Sequence, residues 1–245
     1  MSVKTRAPRK PAHSAQTLTV TWQAASLLLD YPDHALLENL PVVRAAVQSL
    51  PDPLRDPIEE FLARLELTPL QELQQDYVET FDNRRRCNLF LTYFAHGDTR
   101  KRGMALLRFK QTYLASGFEL DADSSGGGEL PDHLCVVLEY AATIDQTLGR
   151  QLMLDHRAGL ELLRLSLRDL ESPWYSVVDA VCRTLPPLRG DERDAVRRLA
   201  AEGPPEEEVG LAPFATPEFS PGAASDARST ERVTLPMPTF PGARA

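Results

Sequence analysis

From Val20 to Leu185 the apolar residues of this chain recur with a period of about 3.6 residues, and no stretch alternates apolar and polar as a half-buried strand does. That regularity constrains the fold more than any motif. Val20, Ala24, Leu27 and Leu28 share one helical face, and Leu36, Leu40, Val43, Val47 and Leu50 form a second stripe. "PDPLRDP" interrupts the pattern; Ile58, Phe61, Leu62 and Leu65 resume it. Thr68-Pro69 reads as an N-cap followed by proline at the first helical position, with Gln71 in capping-box register. The helix it heads carries Leu70, Leu73, Tyr77 and Phe81. Leu106, Phe109 and Tyr113 line a helix that ends near Gly117, and Leu134, Val137, Leu138, Ala141, Ile144 and Leu148 make the most regular stripe. Leu160, Leu163, Leu167 and Leu170 continue it, and Ser172-Pro173 starts a further helix with Trp174, Val178, Val181 and Leu185. Leucine and alanine, both strong helix formers, dominate the apolar content.

The expected fold is therefore all-α: a single-domain helical bundle of roughly eight to ten helices with disordered termini. The helical domain is expected over residues 16–200. Residues 1–15 read as a disordered basic extension, and residues 201–245, Pro-rich from "GPPEEE" onward, as a disordered tail. No repeat at a fixed period points to a solenoid.

Charge and cysteine usage narrow the function. A net charge of -8 argues against a general nucleic-acid binder, which needs a basic face to displace counterions. Cys87, Cys135 and Cys182 lack any CxxC pairing, so they read as buried apolar residues in a reducing compartment rather than as a disulfide or zinc framework. No apolar run approaches the roughly 20 residues that span a bilayer. The basic start lacks a signal-peptide core, and the expected location is the cytoplasm. There is no phosphate-binding GxxxxGK[ST], no HExxH and no GxSxG elbow.

Two stretches concentrate chemistry. In "DYVETFDNRRRCNLFLTYFAHGDTRKRG", Tyr77 and Phe81 lie four apart on one helical face, and Arg84, Arg85 and Arg86 precede the most aromatic part of the chain. Aromatic anchors beside arginines are what a peptide-binding groove with a charged rim uses. In "GGGELPDHLCVVLEYAAT", Pro131 suits the first helical position and Asp132 the positive end of the helix dipole. His133 gains nothing from that position. As a neutral imidazole at a helix mouth it is a hydrogen-bonding group for a ligand or a neighbouring loop. Asp132 and His133 are adjacent, so on a helix they diverge by about 100° and do not converge on one metal ion.

"YVETFDNRRRCNLFLTYFAHGDTRKRG", "LLRFKQTYLASGFEL", "ELPDHLCVVLEYAA" and the earlier "LLLDYPD" together resemble the respiratory nitrate reductase assembly chaperones, the NarJ or nitrate reductase delta subunit family. That family sits in the redox-enzyme maturation group with the TorD and DmsD types, and the likeness covers about residues 20–185. The resemblance implies an all-helical chaperone with no catalytic activity and no cofactor of its own. It implies binding to the N-terminal segment of the nitrate reductase catalytic subunit, which is held ready for molybdenum cofactor insertion before membrane attachment. Molybdenum cofactor delivery proteins are further expected partners; nucleic acid and stable membrane insertion are not. By motif position it assigns client recognition to Tyr77, Phe81, Pro131, Asp132 and His133, with Arg85 on the charged rim. The residues alone leave two other readings open: a helical scaffold or regulatory adaptor for an unrelated partner, and a hydrolase built on His133 and Asp132.

Overall fold

The computed structural model describes residues 12–120 and 130–205. The expectations for residues 1–11, for the glycine-rich loop at 121–129 and for the tail from 206 onward lie outside the described residues. Helices α1 (Ala15–Leu28), α2 (His34–Val47), α3 (Asp52–Leu67) and α4 (Leu70–Tyr77) come first. A π-helical turn (Val78–Asp82) and a 3-10 turn (Arg85–Cys87) follow. Then come α5 (Tyr93–His96), α6 (Arg100–Ala115), α7 (Leu134–Thr143), α8 (Gln146–Asp155), α9 (Arg157–Asp169), α10 (Tyr175–Thr184) and α11 (Gly190–Glu202). Among the described residues there is no strand, only an isolated antiparallel bridge between Phe90 and His133.

The all-α expectation holds, with eleven α-helices among the described residues against the eight to ten expected. Part of the excess lies in the apolar stretch "CNLFLTYF", where α5 is one short turn. The other part is α11, whose only buried residue is Val196, too little to form a legible stripe. Three helix starts also differ from the sequence reading. Thr68 ends α3 instead of capping α4: its N–H and hydroxyl both return to the Arg64 carbonyl, and α4 begins at Leu70. Ser172 likewise closes the preceding turn through Leu167, and α10 begins at Tyr175. The third, at Pro131, belongs to the site. Where an acid or hydroxyl caps unopposed, the expected mechanism operates: Ser14, Asp33 and Asp145 accept from the first-turn N–H groups of α1, α2 and α8.

The centre of the bundle is α1 against α7, with α2 and α10 beside α1, α3 spanning α2 and α10, and α9 packed on α10 and α11. Trp22 on α1 is fully buried, and its indole N–H donates to Thr184 Oγ1 on α10 at 2.9 Å, so this core tryptophan is also satisfied. Two glycines set close approaches. A Cβ at Gly149 would stand 2.4 Å from the Ala141 Cβ, and one at Gly159 would stand 2.6 Å from the Phe94 ring. Helices α8 and α9 thus come nearer to α7 and α5 than any side chain allows. A largely buried ion network, Arg157–Glu161–Arg164–Asp179, ties α9 to α10 and reaches the surface at Arg183. All three cysteines, Cys87, Cys135 and Cys182, are buried and none is in a disulfide, as expected from their spacing.

Candidate functional site

The first motif straddles the end of α4. Beyond Tyr77 the helix widens into the π turn, closed by Asn83 N–H to the Val78 carbonyl at 3.1 Å. Tyr77 and Phe81 do lie together, with ring centroids 4.7 Å apart, but they face inward. Both pack edge-on against Trp174, at 5.7 and 5.4 Å, and Trp174 continues to Phe61 at 5.9 Å. Tyr77 donates from its hydroxyl to the Leu29 carbonyl at 3.1 Å, pinning the end of α1. The exposed ring is Tyr31, from "LLLDYPD", standing edge-on to Tyr77 at 5.4 Å. The aromatic face that the sequence offers as a groove surface is therefore already filled by the protein's own core.

Pro131 and Asp132 precede α7 instead of opening it; the first helical residue is Leu134 and His133 is its N-cap, with extended backbone. The cause is competition for the backbone. Leu91 N–H donates to the Asp132 carbonyl and Leu134 N–H to the Leu89 carbonyl, so the segment is held extended along residues 89–91. The Pro131 carbonyl accepts from the Tyr113 hydroxyl at 2.6 Å. The Asp132 side chain is 0% exposed. Its Oδ2 accepts from the Thr92 N–H at 3.1 Å and from the Thr92 hydroxyl, with the Arg102 guanidinium 3.7 Å away. Arg102 in turn lies over the Phe90 and Tyr93 rings and pairs with Asp98 at 3.0 Å. Asp132 thus acts as an anchor joining α7 to the start of α6.

His133 is partly buried, with its ring edge-on to Phe90 at 5.1 Å. Burial lowers its pKa below the usual histidine value, against the opposing pull of Asp30 and Asp132, so it is neutral at pH 7. Asp132 bonds Thr92 and not His133, so the two do not form an acid–base pair of the kind a hydrolase uses. Asp30 follows the Leu29 carbonyl that Tyr77 holds. Both motifs therefore meet the α1–α2 connection, one by a hydrogen bond and the other by charge. Arg85, on the exposed side of the 3-10 turn, donates from Nε to the Tyr93 hydroxyl at 2.7 Å, between exposed Arg84 and Arg86.

The outer side of the first motif is concave. A cleft of about 230 Å³ opens beside the π turn. Asp76, Glu79, Thr80 and Arg84 line one side; Arg64, Leu170 and the segment from Glu171 to Trp174 line the rest. Glu171 is the one non-glycine among the described residues with positive φ, at 53°, where it closes the C-terminus of α9: its N–H donates to the Arg168 carbonyl and the Ser172 N–H to the Leu167 carbonyl. The Ser172 hydroxyl is buried without a hydrogen-bond partner among the described residues. Sequence reasoning missed Arg64, Glu171 and Ser172, which come from elements far from either motif. The signal for the others was present, since Glu79, Thr80 and Arg84 are the residues between and after the two aromatics. Among the described residues, no three potential metal ligands lie together.

Known relatives identify the family. The family model described as nitrate reductase delta subunit matches residues 47–179. A nitrate reductase-like protein NarX of Mycobacterium tuberculosis is 38% identical over 67% of this chain, which spans only 24% of that protein's length. The probable nitrate reductase molybdenum cofactor assembly chaperone NarJ of Bacillus subtilis is 30% identical, covering 68% of this chain and 88% of its own. The nitrate reductase molybdenum cofactor assembly chaperone NarJ of Escherichia coli is 31% identical over 64% of this chain and 66% of its own. These two relatives are named as assembly chaperones, not as catalytic subunits. Matched family model and near-full-length chaperone relative agree: the chain belongs to the nitrate reductase delta subunit family of NarJ-type proteins.

Proposed function

We propose that this protein is a non-catalytic assembly chaperone that binds the catalytic subunit of respiratory nitrate reductase through that subunit's N-terminal segment. It keeps the subunit competent for molybdenum cofactor insertion before membrane attachment. It works in the cytoplasm, in contact with molybdenum cofactor delivery proteins. Among the described residues no helix is long and apolar enough to cross a membrane.

The observation that carries the recognition site is the cleft on the outer face of the first motif. Tyr77 and Phe81 serve recognition from inside, by fixing the π turn that presents Glu79, Thr80 and Arg84. Pro131, Asp132 and His133 do the same for the α1–α2 connection and the start of α6, and Arg85 steers encounter from the rim. Modest affinity suits this role, because a chaperone releases its client.

Calorimetry with a peptide from the N-terminus of a nitrate reductase catalytic subunit tests the proposal. Binding is expected with a negative heat-capacity change. Glu79→Arg and Arg84→Glu, both at exposed positions, are expected to weaken it by roughly tenfold, or about 1.4 kcal/mol, without lowering Tm. Absence of binding by both the peptide and the full catalytic subunit would refute the chaperone reading. Binding that neither substitution changes would remove the cleft from it.

A further inference from the structure

Helix α6 carries two apolar faces. Ala105, Phe109 and Tyr113 are its buried residues, and they form a single row along one side. On the opposite side Met104, Leu107 and Leu114 are 63%, 45% and 57% exposed. With Gln111 they are spaced three, four and three apart, which is the a/d spacing of a helix-pairing seam. Met104 and Gln111 take the a positions, and Leu107 and Leu114 the d positions. The flanking e and g positions are then Lys101, Gly103, Arg108, Lys110 and Ala115. Helix α6 holds no acidic residue, although the chain carries a net charge of -8. Its ion pairs among the described residues are those of Arg102, which points away from the seam to Asp98 and Asp132.

We infer that this face of α6 is a docking surface for an acidic amphipathic helix of another protein, one with apolar residues at a and d and glutamate or aspartate at e and g. Charge selects the occupant. Two copies of α6 would set Lys101, Arg108 and Lys110 against the same cations, so the seam disfavours self-pairing. A helix lying on an anionic membrane presents a wider apolar face, whereas this stripe is a narrow seam with Gln111 inside it. A single polar a position is also a common device for fixing the register of a partner helix. The surface is separate from the cleft, to which α6 contributes no residue, and the inference does not rest on the chaperone reading.

The test uses the full chain and two synthetic amphipathic helices, both with leucine at a and d, one with glutamate and one with lysine at e and g. Fluorescence anisotropy is expected to show binding of the glutamate helix, weakened by salt, and none of the lysine helix. Leu107→Glu with Leu114→Glu should reduce binding by roughly tenfold or more. Arg108→Glu with Lys110→Glu should reverse the preference toward the lysine helix. Circular dichroism of each variant, unchanged because these side chains are exposed, separates lost docking from lost folding. Four results would overturn the inference: no binding of the glutamate helix, equal binding of both helices, indifference to the seam substitutions, or self-association in sedimentation that these substitutions abolish. Capture of the protein by phosphatidylserine vesicles without binding of the glutamate helix would assign the face to a membrane and also overturn it.

Discussion

Replacing Asp132 by alanine is expected to destabilise the protein more than its small volume suggests. The carboxylate is fully buried and accepts two hydrogen bonds from Thr92, from the backbone N–H and from the hydroxyl. Hydrogen bonds to a charged acceptor contribute about 1.5–3 kcal/mol each. Removing the acceptor also leaves the buried Thr92 N–H without a partner. Against this, the folded state no longer desolvates a carboxylate, and Arg102 keeps Asp98 and its place over Phe90 and Tyr93. The net expectation is a loss of about 3 kcal/mol, at the lower end of what breaking a buried pair costs. For a chain of this size that corresponds to a fall in Tm of about 6–12 °C. Asp132→Asn keeps an oxygen for both Thr92 donors and loses only the charge, so a loss of about 1 kcal/mol is expected, or about 2–4 °C. Differential scanning calorimetry of the three proteins at pH 7 decides it. An alanine variant melting within about 2 °C of the parent, or an asparagine variant melting below the alanine one, would refute the anchoring role.

Gly149→Ala should destabilise by about 1–3 kcal/mol, because the new Cβ would sit 2.4 Å from the Ala141 Cβ and 2.6 Å from its backbone Cα, which cannot swing aside. Gly103→Ala, where the added Cβ meets nothing within 4 Å, should instead stabilise by up to about 1 kcal/mol through helix propensity; denaturant midpoints compare the two. Stability should also fall as the pH drops below about 6.5. His133 and His156 have lowered pKa values through burial, so in that range the unfolded chain takes up protons that the folded one does not. The stability present at neutral pH is lost between the unfolded pKa and the lower folded one. His133→Gln should flatten part of that slope in Tm measured from pH 7.5 to 5.5, and an unchanged slope would show that His133 does not contribute to it.

The fold was legible because helix periodicity reports burial directly. The stripes of α2 and α3 were present in the spacing of the apolar residues, and those residues are buried in the core; the stripes read for α1, α7 and α9 run past the buried face, since Leu27, Ile144 and Leu170 are exposed. Helix starts were less legible, since a start is a contest between partners. Thr68 and Ser172 are good capping residues whose backbones were claimed by the preceding turn. Pro131 was claimed by the bridge beside Leu89–Leu91, forty residues upstream, and no local pattern encodes that pairing.

The same physics explains why the sequence motifs and the cleft overlap only in part. Residues that stand out in a sequence tend to be large, aromatic or paired with proline, and those are the residues a core uses. Tyr77, Phe81 and Asp132 stand out, and all three are buried. Residues that line the cleft are under no periodic constraint from the core, so Arg64, Glu171 and Ser172, far from either motif, leave no trace until the chain is folded. Helix α6 shows the limiting case. Its sequence contains two superposed stripes, one through Phe109 and Tyr113 and one through Met104, Leu107 and Leu114. Spacing alone does not say which faces inward. The aromatic row does, because Tyr113 reaches the Pro131 carbonyl and Phe109 packs against His156 at 5.2 Å. Once those contacts fix the helix, the second row is left outside with basic residues along it. A helix that needed only one apolar face to fold has then retained another, and that excess, more than any motif, marks a surface built for a second helix.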